Sequence, residues 1–277
     1  MTGVQTCALP ILKNLKFKKY TGNFDPVAFG KLLDDAYLAT KRPDGEMQKK
    51  SFSPSSFGYG HGNCPRYWYM AFKGAYFIDS NDAQAVANMK YGTEAHERLQ
   101  DLIKSKASDL FQTTKIKSVE TEVEIKNEYP PIRGFIDLVI DWDGTQVIGE
   151  IKTAKQEVWD TRQSEMSPTS NHILQLLAYM KLKNIEEGFF VYENKNDQSI
   201  LILPIMMNDK NKKIIDELFI WLQEVWDNFK DGDMPFRPEG YTKTKSPCAY
   251  CPIKKECWAK DAEVGTVQIE PYKVPQL

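Results

Sequence analysis

Gly134-Phe135-Ile136-Asp137-Leu138-Val139-Ile140-Asp141-Trp142 is followed by Asp143-Gly144-Thr145-Gln146 and then by Val147-Ile148-Gly149-Glu150-Ile151-Lys152-Thr153-Ala154. Phe135 to Trp142 is rich in β-forming residues, Asp143-Gly144 is a tight-turn signal, and Gln146 to Thr153 runs back, so the stretch predicts a β-hairpin. Side chains alternate faces along a strand. Glu150 and Lys152 are two residues apart and therefore share one face, while Ile151 takes the other. Asp137 stands inside an apolar run, where a charge is costly unless it is paired or binds a metal. The turn brings it alongside the face that carries Glu150 and Lys152.

Working outward, Val119, Thr121, Val123 and Ile125 alternate with Glu120, Glu122 and Glu124, the period of a half-exposed strand. Upstream, Ala95, Leu99, Leu102 and Ile103 keep helical spacing after a Tyr91-Gly92 break, which predicts a helix from about Thr93. Downstream the pattern predicts a helix over 171–183, strands over 188–193 and 199–206, and a long amphipathic helix capped by Asp209 and running through Phe229. Beyond Asp231 the chain becomes rich in Gly, Pro and Lys and reads as a loop-like segment needing something other than a core to hold it.

Two carboxylates beside a lysine suit Mg²⁺ or Mn²⁺, which prefer hard oxygen ligands, and the lysine can orient a water near a phosphate. That arrangement serves phosphodiester hydrolysis. The same three residues can also form an ordinary salt-bridged strand pair.

GFIDLVI followed by GEIKTA resembles the PD-(D/E)xK signature of the RecB-like nucleases, with Ile136 where the motif name has proline. The resemblance implies a mixed α/β fold with a central mixed sheet flanked by helices. It makes Asp137 and Glu150 metal ligands and Lys152 the catalytic lysine. Two further elements of that family are present. Gly92-Thr93-Glu94-Ala95-His96 matches its G-x-x-x-H helix and makes His96 a further ligand; Gln175 and Tyr179 match its Q-x-x-x-Y helix and are assigned to the active site or the DNA backbone. Glu94 and Glu97 have no matching role. Without the family, His96 reads as a hydrogen-bonded helix histidine, and Gln175 and Tyr179 as a partly buried helix surface.

Residues 1–11 read MTGVQTCALPI and look like a translated sequencing adapter, which removes Cys7 from a cysteine count of five. Of the remaining four, Cys248, Cys251 and Cys257 form a C-x-x-C-x-x-x-x-x-C array in the loop-like segment. Cys64 lies far away in SFSPSSFGYGHGNCPRYWYMAF. Close thiol spacing points to a metal, with zinc and an iron-sulfur cluster both open and His61 a further candidate for zinc. The ordered motifs are similar to cluster-bearing RecB-like nucleases, including the CRISPR-associated exonucleases and AddB-type domains. That resemblance implies a [4Fe-4S] cluster on Cys64, Cys248, Cys251 and Cys257, clamping the two ends of the domain.

A chain of 277 residues with 42% hydrophobic content can bury a full core. We expect one domain over 12–277, with the nuclease core at about 82–230 and cluster-binding segments at about 51–75 and 240–260. A net charge of -2 excludes a globally basic nucleic-acid binder but not a local basic groove. No apolar run is long enough for a membrane span and no export signal is evident, so a cytoplasmic protein is expected. The resemblance implies DNA as substrate, single-stranded or end-exposed, and recombination, helicase or CRISPR adaptation proteins as partners. Tyr67, Trp68 and Tyr69 read either as stacking surfaces for bases or as core around Cys64. The alternatives are a non-catalytic DNA-end-binding adaptor and an RNA-directed nuclease.

Overall fold

The computed structural model describes residues 23–113 and 115–275. In chain order the elements are α1 (Pro26–Ala39), β1 (Gly45–Met47), α2 (Pro65–Lys73), β2 (Ala75–Phe77), α3 (Ala83–Thr113), β3 (Ile116–Glu128), β4 (Pro131–Trp142), β5 (Thr145–Ala154), α4 (Gln156–Glu165), α5 (Ser170–Lys183), β6 (Glu187–Asn194), β7 (Ile200–Met206), α6 (Asp209–Asp231) and α7 (Lys254–Cys257). The adapter-like residues 1–11 lie outside the described residues.

The predicted hairpin forms as β4 and β5. Its two-residue turn takes positive φ at both Asp143 (54°) and Gly144 (92°), the conformation that matches the right-handed strand twist. It sits in a five-stranded sheet of order β3-β4-β5-β6-β7, antiparallel except for β5 and β6, which run parallel. A parallel pair needs a crossover, and α4 and α5 supply it. Because β5 and β6 are buried on both faces, Phe189-Phe190-Val191-Tyr192 reads as a continuous apolar run rather than an alternation, and β5 buries Ile148, Glu150 and Ile151 alike. Helices α2, α5 and α6 pack one face in a core that includes Phe72, Leu176, Ile148 and Leu222. On the other face α3 buries Leu99 against Leu138, Ile140, Ile151 and Val191. The expected mixed α/β architecture, a central sheet between helices, is the one observed.

Two helix starts differ from expectation. Helix α3 begins at Ala83, with Asp82 accepting from the Ala85 amide at 2.8 Å, and passes through Tyr91-Gly92 unbroken. One glycine costs a helix only about 1 kcal/mol, which the packing of Ala95 and Leu99 offsets. Asn208, not Asp209, caps α6, accepting from the Asn211 amide at 2.9 Å.

The C-terminal segment is anchored in the core by apolar residues. Met234, Ile253 and Ile269 are buried in the main core, and Trp221 donates to the Glu270 carbonyl at 2.8 Å. Arg66, buried on α2, donates to the Pro235 carbonyl at 2.9 Å. The expectation of a tail without an apolar anchor is thereby corrected: three scattered apolar residues, too few for a periodicity, reach the main core.

Candidate active site

The β4–β5 ladder runs from Trp142 opposite Thr145 to Leu138 opposite Gly149 and stops there, after which β5 continues only against β6. Asp137 and Glu150 are the first residues past this fork. The Ile151 amide, freed from the ladder, donates to Asp137 Oδ2 at 2.7 Å. A buried N–H must be paired, and here a carboxylate takes the role a strand carbonyl has elsewhere. On the other side of β4, pairing with β3 is interrupted at Glu122, whose φ is 52°. Gln100, buried on α3, bridges this irregularity by donating to Glu122 Oε1 at 2.7 Å and to the Asp137 carbonyl at 3.1 Å.

Helix α3 also delivers His96, whose Nδ1 lies 3.4 Å from Asp137 Oδ2. On β5, Glu150 is buried at 1% exposure; its Oε1 accepts from Lys152 Nζ at 2.8 Å and from Gln175 Nε2 at 2.6 Å. Gln175 Oε1 accepts from Lys152 Nζ at 3.0 Å, closing a three-residue ring. One turn along α5, the Tyr179 hydroxyl lies 3.4 Å from Gln175 Nε2, and Gly134 admits it: a Cβ there would stand 2.9 Å from that hydroxyl. All six residues singled out from the hairpin and its flanking helices thus converge. Glu94 and Glu97 join no part of this network.

Burial raises the Glu150 carboxyl to about 7; the Lys152 ammonium opposes that shift and the Asp137 carboxylate adds to it. Its second oxygen, Oε2, is buried without a hydrogen-bond partner. Buried polar atoms are almost always paired, so an orphan carboxylate oxygen beside Asp137 and His96 fits a hard divalent cation. Among the described residues no three His, Cys, Asp or Glu side chains are gathered into a formed metal cluster, so the donors stand as neighbouring pairs.

Reasoning from sequence missed Gln100, Glu122, His172 and Tyr192. Gln100 is four residues beyond His96 and His172 three before Gln175, spacings that share a helix face. His172 Nδ1 lies 2.6 Å from the Tyr192 hydroxyl, and burial, with the charges of Lys152 and Arg162, pulls its pKa down to about 3.

Tyr67, Trp68 and Tyr69 are buried, with Trp68 packed edge-on to Phe52 at 4.8 Å, so their core reading is correct and their reading as base-stacking surfaces is not. Cys64, Cys248, Cys251 and Cys257 are free thiols lining one small apolar cavity together with His61, Tyr67 and Trp258. Burial pushes Cys64 and Cys251 up to about 12, and the charges of the other cysteines push the same way. They surround the cavity without being drawn into a formed site. Four soft donors around one apolar cavity fit a thiophilic metal.

The family model described as "PD-(D/E)XK nuclease superfamily" matches residues 75–258, more than half of the chain. No curated protein sequence matches significantly. Among solved structures, the protein SSO0001 aligns at 16% identity and a TM-score of 0.43, covering 85% of this chain and 98% of that one. An alkaline exonuclease, LHK-Exo from Laribacter hongkongensis, aligns at 16% identity and a TM-score of 0.40, covering 52% and 71%. A phage related exonuclease from Haemophilus somnus 129PT aligns at 14% and 0.30, covering 47% and 72%. These likenesses are too distant to bear on function.

Proposed function

The chain belongs to the PD-(D/E)XK nuclease superfamily, and from that premise we propose that it is a RecB-like, metal-dependent deoxyribonuclease acting on single-stranded DNA or DNA ends. What carries the reading is Glu150: one oxygen is held by Lys152 and Gln175, while the other is buried and unpartnered beside Asp137 and His96. Asp137, Glu150 and His96 would hold Mg²⁺ or Mn²⁺. When bound, such an ion would supply Lewis acidity to the scissile phosphodiester. Lys152, fixed by two acceptors, presents its ammonium beside that charge and orients the attacking water; Gln175 holds the lysine and the carboxylate in register, and Tyr179 braces Gln175.

Cys64, Cys248, Cys251 and Cys257 would hold a [4Fe-4S] cluster, joining the segments 51–75 and 240–260 of a single domain over 12–277. Cytoplasmic action in recombination, repair, phage replication or CRISPR adaptation suits four unpaired thiols. Among the described residues no helix is long and apolar enough to cross a membrane.

The test is to incubate anaerobically purified protein with end-labelled single-stranded DNA and a matched RNA in Mn²⁺, with EDTA, Asp137→Ala and Lys152→Ala as controls. Cleavage of DNA that both variants and EDTA abolish is expected. Cleavage that survives Lys152→Ala would overturn the assignment, and tight binding with no cleavage would favour a DNA-end-binding adaptor.

A further inference from the structure

With Tyr67, Trp68 and Tyr69 buried, the site needs another surface to hold a base, and the segment just before Cys64 offers one. Phe52 and Phe57 anchor this segment in the core. Phe52 also pairs with β4, its amide donating to the Pro131 carbonyl at 2.7 Å and its carbonyl accepting from Arg133 at 3.0 Å. Between these anchors and Cys64 the chain reads Gly58-Tyr59-Gly60, with both glycines at positive φ, 76° and 24°. The Gly58 amide donates to Asn63 Oδ1 at 3.1 Å, the Tyr59 amide to the Ser56 carbonyl and the Gly62 amide to the Tyr59 carbonyl. A Cβ on Gly58 would stand 2.8 Å from Asn171, so this backbone abuts the first turn of α5.

The loop therefore fixes the Tyr59 backbone, yet the residue stays 41% exposed. Its ring lies 6.1 Å from that of His172, the residue after Asn171 on α5. Asn171 and Gln175 are one helical turn apart, about 6 Å along α5. Gln175 contacts both Glu150 and Lys152. Tyr59 thus offers a half-exposed, rigidly mounted aromatic face at the first turn of α5, one turn before the glutamine that holds the candidate catalytic lysine.

The geometry points to Tyr59 as the platform on which an unpaired nucleobase of the substrate strand stacks beside the scissile phosphate; the inference rests on the nuclease reading above and deepens it. Stacking on an aromatic face is indifferent to base identity but requires a base free of its partner, so the platform favours single strands over duplex and imposes little sequence preference.

An oligonucleotide carrying 2-aminopurine, whose fluorescence is quenched by stacking, tests this in the Lys152→Ala background, where no turnover is expected. Quenching by Lys152→Ala is expected, its loss on adding Tyr59→Ala, and its retention on adding Tyr59→Phe. In otherwise native protein, Tyr59→Ala should raise KM for single-stranded DNA on the order of ten-fold with kcat little changed, and Tyr59→Phe should leave both near wild type. Unaltered quenching and KM in Tyr59→Ala would overturn the proposal, as would equal damage by Tyr59→Phe and Tyr59→Ala, which would assign the effect to the hydroxyl. Because quenching is read without turnover, protein that quenches through Tyr59 but never cleaves would sink the nuclease reading alone. Cleavage indifferent to Tyr59 would sink the platform alone.

Discussion

Asp137 Oδ2 accepts the Ile151 amide at 2.7 Å across the fork where β4 and β5 part. One carboxylate therefore has two roles, closing the backbone of the fork and facing His96 with negative charge. The two roles separate by substitution. Asp137→Ala removes acceptor and charge and should cost about 1.5–3 kcal/mol in urea unfolding, the range for a lost bond to a charged group. Asp137→Asn retains an acceptor for Ile151 and relieves Glu150 of a like charge, so it should cost about 1 kcal/mol or less. Both should lose Mn²⁺-dependent cleavage. Equal destabilisation by the two variants would contradict the backbone role.

Gln175 touches both Glu150 and Lys152 and so acts by positioning them. Residues that orient ligands in this way typically alter metal affinity or activity by 10–100-fold. Gln175→Ala should therefore lower kcat by roughly one to two orders of magnitude at unchanged helix content by circular dichroism. A variant cleaving at the wild-type rate would show that the ring is incidental.

Gly134 exists for Tyr179. The methyl group of Gly134→Ala would stand 2.9 Å from the tyrosine hydroxyl and 3.0 Å from its ring, contacts that require displacement. A cost of about 1–3 kcal/mol is expected, the usual penalty for overpacking. Adding Tyr179→Leu should recover part of it, so the double variant should unfold less easily than the sum of the singles predicts. Additive effects would rule out the contact.

The hairpin and the placement of Glu150 beside Lys152 were legible because they are local: a turn dipeptide, two apolar runs and an E-x-K spacing that a strand puts on one face. Gln175 and Tyr179 were legible as a helical pair, but their junction with Glu150 and Gly134 depends on the β5–α5–β6 crossover, which no local spacing encodes. Gln100 was hidden for the same reason, since nothing in sequence links it to Glu122. The anchoring of the C-terminal segment by Met234, Ile253 and Ile269 was illegible because isolated apolar residues carry no period. The Tyr67-Trp68-Tyr69 run read either as stacking surface or as core because an aromatic cluster carries no mark of which side faces water; all three belong to the core.

Those anchors predict what metal loss does. Cys64→Ser should abolish bound iron or zinc, measured by elemental analysis, because one of four thiols is gone. The segment 232–275 should nevertheless remain docked through Met234, Ile253, Ile269 and the Arg66 bond to Pro235. Brief trypsin treatment should then cut first near the cysteine loop, at Lys243, Lys245, Lys254 or Lys255, and the fragment beyond the cut should stay bound to the rest of the chain in gel filtration. Release of that fragment would mean the metal, not the apolar anchors, holds the segment.

His172 predicts an acid-sensitive core. Burial, reinforced by Lys152 and Arg162, holds its pKa at about 3, well below the ordinary 6.5 of histidine. The folded imidazole stays neutral while the unfolded chain binds a proton below pH 6.5. Between about pH 6.5 and 3 the unfolded state therefore binds more protons, stability rises with pH, and acidification erodes it. Each unit below 6.5 is worth about 1.4 kcal/mol, so His172 should account for about 2 kcal/mol of the loss between pH 7.5 and 5. His61, held at about 4 mainly by burial, adds a parallel loss. His172→Asn keeps a polar neighbour for the Tyr192 hydroxyl but has no proton to gain. Urea unfolding of wild type and variant at both pH values should show the smaller pH dependence in the variant, by about 2 kcal/mol. Identical dependence would mean the imidazole is as easily protonated in the fold as outside it.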